Sequence, residues 1–66
     1  MPVERIGSVI AKRREGKMTQ EQLARLAKVS RSYLAALEAG HRTNPSLAVI
    51  RRLAKALGVP VTDLLR

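Results

Sequence analysis

The stretch TQEQLARLAKVSRSYLAALEAG, residues 19–40, decides the fold. It reads as two short helices joined by a tight corner. Thr19 is a good N-cap, and Gln22 three residues later completes a capping box, in which each side chain satisfies a backbone N–H of the first turn. Met18 before the cap and Leu23 beyond it stand at the spacing of a hydrophobic staple, so a helix is expected over about 20–27. The signals then recur. Ser30 is a second N-cap, Val29 and Leu34 form a second staple, and Gly40 can supply the left-handed residue that closes a helix over about 31–39. Only Ala27, Lys28 and Val29 lie between the two elements, so their axes must cross at a large angle.

At about 3.6 residues per turn, Leu34 and Leu37 fall on one side of the second helix and Ser32, Ala35, Ala36 and Ala39 on the other. One face is core and the other nearly bare. Such a helix, with Arg31, Ser32 and Tyr33 in its first turn, is shaped to lie deep against another surface, and the major groove of B-DNA admits a helix. Alanines of high propensity equally suit a plain surface helix. The helix alone leaves both readings open.

Working outward, the segments Thr19-Gln20-Glu21-Gln22-Leu23-Ala24, Val29-Ser30-Arg31-Ser32-Tyr33-Leu34, Leu37-Glu38-Ala39-Gly40, Asn44-Pro45-Ser46-Leu47 and Leu53-Ala54-Lys55-Ala56-Leu57-Gly58-Val59 follow one another in a specific order and spacing. In that order the chain resembles the lambda-repressor-like helix-turn-helix regulators of the Cro/C1, or xenobiotic-response-element, type. The resemblance implies an all-α, compact five-helix domain with its helix-turn-helix at helices 2 and 3. It also implies binding to double-stranded DNA. Three departures stand out. Many members have Gly where Lys28 sits, so a lysine is expected in a left-handed conformation at a cost of about 1 kcal/mol. The link over 15–18 looks one residue shorter than usual, and that from Gly40 to Pro45 one longer.

The 66 residues make one small domain, 1–66, near the size at which a single core is marginal. There is no cysteine, Tyr33 is the only aromatic residue, and the core must be built from Leu, Ile, Val and Ala. The net charge of +8, from 13 Lys and Arg against 5 Asp and Glu, implies an anionic partner. No apolar run is long enough for a membrane span and the N-terminus lacks the core of a signal peptide, so a cytoplasmic protein is expected. No internal repeat stands out.

A first helix is expected over about 3–14, with Val3, Ile6, Val9 and Ile10 as its buried stripe. Gly7 weakens it by up to about 1 kcal/mol, a cost that a close helix crossing would explain. By the resemblance, an arginine late in this helix, Arg14 or else Arg13, pairs with Glu38 as a structural ion pair, against the alternative of three solvated charges. Gln20, at a helix N-terminus, suits a DNA phosphate, and the resemblance assigns it that role. Beyond Gly40, the loop residues His41, Arg42, Thr43 and Asn44 can grip the sugar-phosphate backbone. His41 has neither cysteine nor acidic cluster beside it, so metal and catalytic roles are rejected, no cofactor or small-molecule ligand is expected, and the protein is not read as an enzyme.

Ser46 caps a fourth helix, about 46–57, whose stripe is Leu47, Ile50, Leu53, Ala54 and Leu57, with Arg51, Arg52 and Lys55 turned away to keep that face soluble. Gly58 closes it. A last helix over about 61–65 carries Val61, Leu64 and Leu65, more aliphatic surface than so short an element easily buries. The resemblance implies dimerisation through the C-terminal helices and places these residues at a homodimer interface, against the alternative that the helix only seals the monomer core. The dimer would set two recognition helices about 34 Å apart on a palindromic operator. Within the recognition helix, Arg31, Ser32, Tyr33, Ala35 and Ala36 are expected to read bases, and Gln20, Arg42, Thr43 and Asn44 to hold the DNA backbone. The competing expectation is a protein-interaction module, such as an antitoxin or a coactivator-type bridging protein.

Overall fold

Five helices follow one another along the chain: α1 (Ile6–Arg14), α2 (Gln20–Ala27), α3 (Arg31–Glu38), α4 (Leu47–Leu57) and α5 (Val61–Leu64). They are seen in a computed structural model that describes residues 6–65, so the expected helical start at Val3 or Glu4 lies outside the described residues. Among those residues there is no strand. The helix starts follow their caps. Thr19 Oγ1 accepts from Gln22 N at 3.1 Å while Gln22 Oε1 accepts from Thr19 N at 2.9 Å, so the capping box is closed from both sides. Ser30 and Ser46 each accept from the N–H three residues on, at 3.0 and 3.2 Å. Pro60, before α5, makes no side-chain cap bond.

Three helices end in one scheme, in which the amide of a residue of positive φ and the amide after it reach back to orphan carbonyls. After α2, Lys28 N donates to Arg25 O at 3.2 Å and Val29 N to Ala24 O at 2.9 Å. After α3 the donors are Gly40 and His41, and after α4 they are Gly58 and Val59. Lys28 has φ 59°, against 85° at Gly40 and 71° at Gly58. A lysine therefore occupies the left-handed position in the corner, as its place in the sequence requires.

The core is wholly aliphatic: Val9 and Ile10 from α1, Leu23, Ala24 and Ala27 from α2, Leu34 and Leu37 from α3, Ile50, Leu53, Ala54 and Leu57 from α4, and Leu64 from α5. α2 packs chiefly on α4, and α1 on α3. Met18 and Val29, the two staple residues outside the helices, pack against this cluster. The α2–α3 corner also has a counterpart that the sequence reading passed over. Leu23, Ala24, Val29 and Leu34 return in order and spacing as Leu53, Ala54, Val59 and Leu64, and all but the two valines are buried.

Two expectations about the aliphatic residues need correcting. Leu47 is 51% exposed. It lies on the α4 stripe, but a helical side chain covers the turn N-terminal to its own Cα, and before Leu47 the chain is extended, so nothing lies beneath it. Leu64, expected at a dimer interface, is fully buried within the domain, because α5 folds back across α4 and α1 and presents it to the core. Val61 packs against the same core, and Leu65 alone of the three is exposed, at 56%. Arg52 is a third correction: it is half-buried, and its Nε donates to Ala27 O at 2.8 Å, closing the last turn of α2 from α4.

Gly7 marks a close approach of α1 to α3. A Cβ there would sit inside the van der Waals envelope of the Leu37 carbonyl oxygen, 2.7 Å from Leu37 C and 3.0 Å from Glu38 Cα. Every one of those atoms is α3 backbone, which cannot rotate aside. The glycine weakens α1 as an isolated helix, and it lets α1 lie directly against α3.

Candidate nucleic-acid interface

The placement of α3 is fixed by a network at its C-terminal end. Arg14 Nε donates to Glu38 Oε2 at 2.8 Å and Arg14 Nη2 to Glu38 Oε1 at 3.0 Å, a bidentate pair whose side chains are only 15% and 7% exposed. The remaining guanidinium nitrogen donates to Met18 O at 3.1 Å. Gln20 Nε2 adds a fourth bond, donating to Glu38 Oε1 at 3.0 Å. One carboxylate thus joins the end of α1, the start of α2 and the end of α3. The hydrogen bond to Glu38 is the main reason that the Arg14 pKa lies above the ordinary arginine value, with partial burial opposing it. A group with a raised pKa holds its stabilising charge until the pH passes that value. The link is therefore intact throughout the physiological range.

It is Arg14, not Arg13, that meets Glu38. Arg13 stands 4.0 Å from Asp63 of α5 instead, the arginine side chain exposed and the aspartate half-buried.

With its core side fixed, α3 turns the rest outward. Arg31, Ser32 and Ala39 are exposed, and Tyr33, Ala35 and Ala36 are half-buried. Two depressions flank this ridge. One, of about 520 Å³, lies between the start of α2 and Arg31 and is lined by Thr19, Gln20 and Glu21 among others. The other, of about 450 Å³, is lined by Tyr33, Ala36 and the four loop residues His41, Arg42, Thr43 and Asn44. The residues expected to read bases thus share one ridge, and those expected on the DNA backbone lie on its two flanks. Val61, Leu64 and Leu65 belong to neither flank.

Two features of this surface were not legible in the chain. Arg42 Cζ stands 5.3 Å from the centroid of the Tyr33 ring, within cation–π range. Tyr33 thereby holds a loop cation beside the helix, a role that its first-turn position did not suggest. The pairing joins residues nine apart across a turn whose path the residues do not specify; the nearest signal is Gly40, whose closure brings the amides of His41 and Arg42 back to Ala36 O, at 2.9 and 3.3 Å. The second is the Gln20–Glu38 bond, which ties an expected phosphate donor to the ion pair. Among the described residues, no group of three or more His, Cys, Asp or Glu is placed to hold a metal ion. No described helix is long and apolar enough to cross a membrane.

Comparison with known proteins agrees with this architecture. A helix-turn-helix family model matches residues 9–64. The immunity repressor protein of Bacillus phage phi105 is 52% identical over 50 residues, which cover 76% of this chain and 34% of the phage protein. This chain thus spans about a third of that relative's length. The HTH-type transcriptional regulator y4dJ of Sinorhizobium fredii is 42% identical over 60 residues, covering 89% of this chain and 77% of the relative. Among solved structures, the restriction-modification controller protein C.AhdI from Aeromonas hydrophila superposes with a TM-score of 0.83 at 37% identity, over 89% of each chain. The clp gene regulator ClgR from C. glutamicum gives 0.85 at 32% identity, over 98% of this chain and 87% of its own. Both the sequence match and the five-helix architecture place this chain in the Cro/C1-type helix-turn-helix family.

Proposed function

We propose that the protein is a sequence-specific, double-stranded DNA-binding transcriptional regulator of the repressor or controller type, acting in the cytoplasm as a symmetric dimer on a palindromic operator. The observation that carries this reading is the α3 ridge: small side chains on its outer face, arginine at its leading end, and a depression on each side. A net charge of +8 supplies the long-range attraction for a polyanion. The relatives' names, repressor, regulator and controller, support the same reading.

In this mechanism Arg31 reads a guanine through O6 and N7, Ser32 takes a neighbouring base edge, and Ala35 and Ala36 permit close approach or touch a thymine methyl. Gln20 holds a phosphate from one flank. Arg42, steadied by Tyr33, holds another from the opposite flank with Thr43 and Asn44, and these contacts set register without reading sequence. Glu38 and Arg14 keep the ridge at the right height. Leu65, exposed at the end of α5, and the outer edge of Val61 are what remains of the expected dimer surface once Leu64 is assigned to the core.

Selection of bound sites from a random duplex library tests the whole reading, because it reports both a consensus and its half-site spacing. A palindrome with centres about 34 Å apart is expected. On that operator, Arg31→Ala should relax discrimination at one base pair by about 1–3 kcal/mol, while Arg42→Ala should weaken all sequences alike and flatten the salt dependence. Enrichment of no sequence would end the proposal, and identical effects of the two substitutions on operator and random duplex would end the division of roles.

A further inference from the structure

Leu26 is the most exposed large hydrophobic residue described, at 59%, and it forms the wall between two grooves on the outside of α2. One groove, of about 400 Å³, lies toward α4 and has Ala56 as its other apolar element, with Lys28, Arg52 and Lys55 at its rim. The second, of about 330 Å³, lies toward the α1–α2 loop and holds Met18, with Lys17 and Arg25 at its rim. Five cations therefore surround one leucine. None of the described acidic residues, Glu15, Glu21, Glu38 and Asp63, lines either groove. Neither groove contains a residue of α3.

We infer that this face is a docking surface for an acidic peptide segment of another protein, one that carries large aliphatic side chains among its carboxylates. Charge complementarity selects the sign. The head groups of Arg52 and Lys17 are already anchored, at 2.8 Å to Ala27 O and 3.4 Å to Leu57 O, so part of the rim is held in place before a carboxylate arrives. Less side-chain freedom is then lost on binding. The apolar floor selects the rest. A phosphate backbone satisfies cations and offers a leucine nothing, whereas an aliphatic side chain laid beside Leu26 removes both from water. A second copy of this chain fits poorly, because it would bring the same five cations to the contact. The inference does not rest on the duplex reading: the α3 ridge shares no residue with this face, and Met18 alone lines both this face and the depression beside Arg31.

The test uses the full chain and a short synthetic helical peptide of glutamates with leucines at i, i+4 spacing, together with a twin in which alanines replace the leucines. Methyl resonances of Leu26 and Ala56 are followed by NMR beside those of Ala35 and Ala36. The leucine peptide is expected to move the first group and to bind more tightly than its twin. Leu26→Gln, a surface change that leaves the core untouched, should weaken it by about ten-fold, and Lys55→Glu should weaken it in the same direction. Equal binding of the two peptides, or shifts confined to Ala35 and Ala36, would show only a polyanion on the α3 ridge and overturn the inference. Operator binding by the Leu26→Gln protein should be unchanged, which keeps failure here distinct from failure of the duplex reading.

Discussion

The two helical corners of this domain, α2–α3 and α4–α5, share a framework and differ in what they present. In each, a buried leucine and alanine open the final turns of the first helix, a residue of positive φ reverses the chain, and a buried leucine of the next helix closes the corner. The first corner leads into an eight-residue helix capped by Ser30, the second into a four-residue helix behind Pro60 with no side-chain cap. The first is also locked from outside, by Gly7 against the Leu37 backbone and by Arg14 on Glu38. The second has the long, partly exposed Arg13–Asp63 pair as an ion pair to α1. A turn of this geometry does not by itself fit a helix for the proposed reading role. Length, capping and a rigid mounting distinguish α3 from α5.

The difference in mounting can be broken most severely at Gly7. Gly7→Ala would drive a methyl group into α3 backbone on a fixed crossing, and a loss of about 3 kcal/mol or more is expected in chemical denaturation. Ser8→Ala on the exposed neighbour should stay within about 0.5 kcal/mol. Glu38→Ala comes next: it strands the Arg14 guanidinium without a carboxylate and should cost about 3 kcal/mol, and by releasing α3 it should also impair operator binding beyond the loss of folded protein. The two turns themselves can be exchanged. Lys28→Gly relieves a left-handed lysine and should stabilise by about 0.5–1 kcal/mol, whereas Gly58→Lys imposes the same conformation and should cost about 1 kcal/mol. Equal shifts of either sign at both sites would mean that the corners are not equivalent in backbone energy. Smallest of all, Asp63→Asn should change stability by less than about 1 kcal/mol and only at low salt.

The local features of the first corner were legible because capping, stapling and left-handed closure depend on residues within one or two turns of each other. Thr19, Gln22, Ser30 and Gly40 carry their signals in sequence. Gly7 was legible as an anomaly, a helix breaker inside an apolar stripe, although its partner on α3 was not. What escaped depends on how elements meet. Leu47 lies on the correct helical angle and fails only because the core ends before it. Leu64 looked surplus in so short a helix, but its burial depends on where α5 docks. Arg52 looked like a solubilising cation until α4 was seen to cross the end of α2. The Tyr33–Arg42 stack needs the path of the loop as well as its residues.

The Gln20 amide carries one further consequence. One of its two hydrogens is committed to Glu38, so the side chain is held in one orientation, and only the other hydrogen remains to be given, on the proposed reading to a phosphate. On that reading, engaging a phosphate there costs little further side-chain ordering. Gln20→Glu would place a second carboxylate against Glu38, turning a pre-set clasp into a repelling pair on the very edge proposed to meet the polyanion.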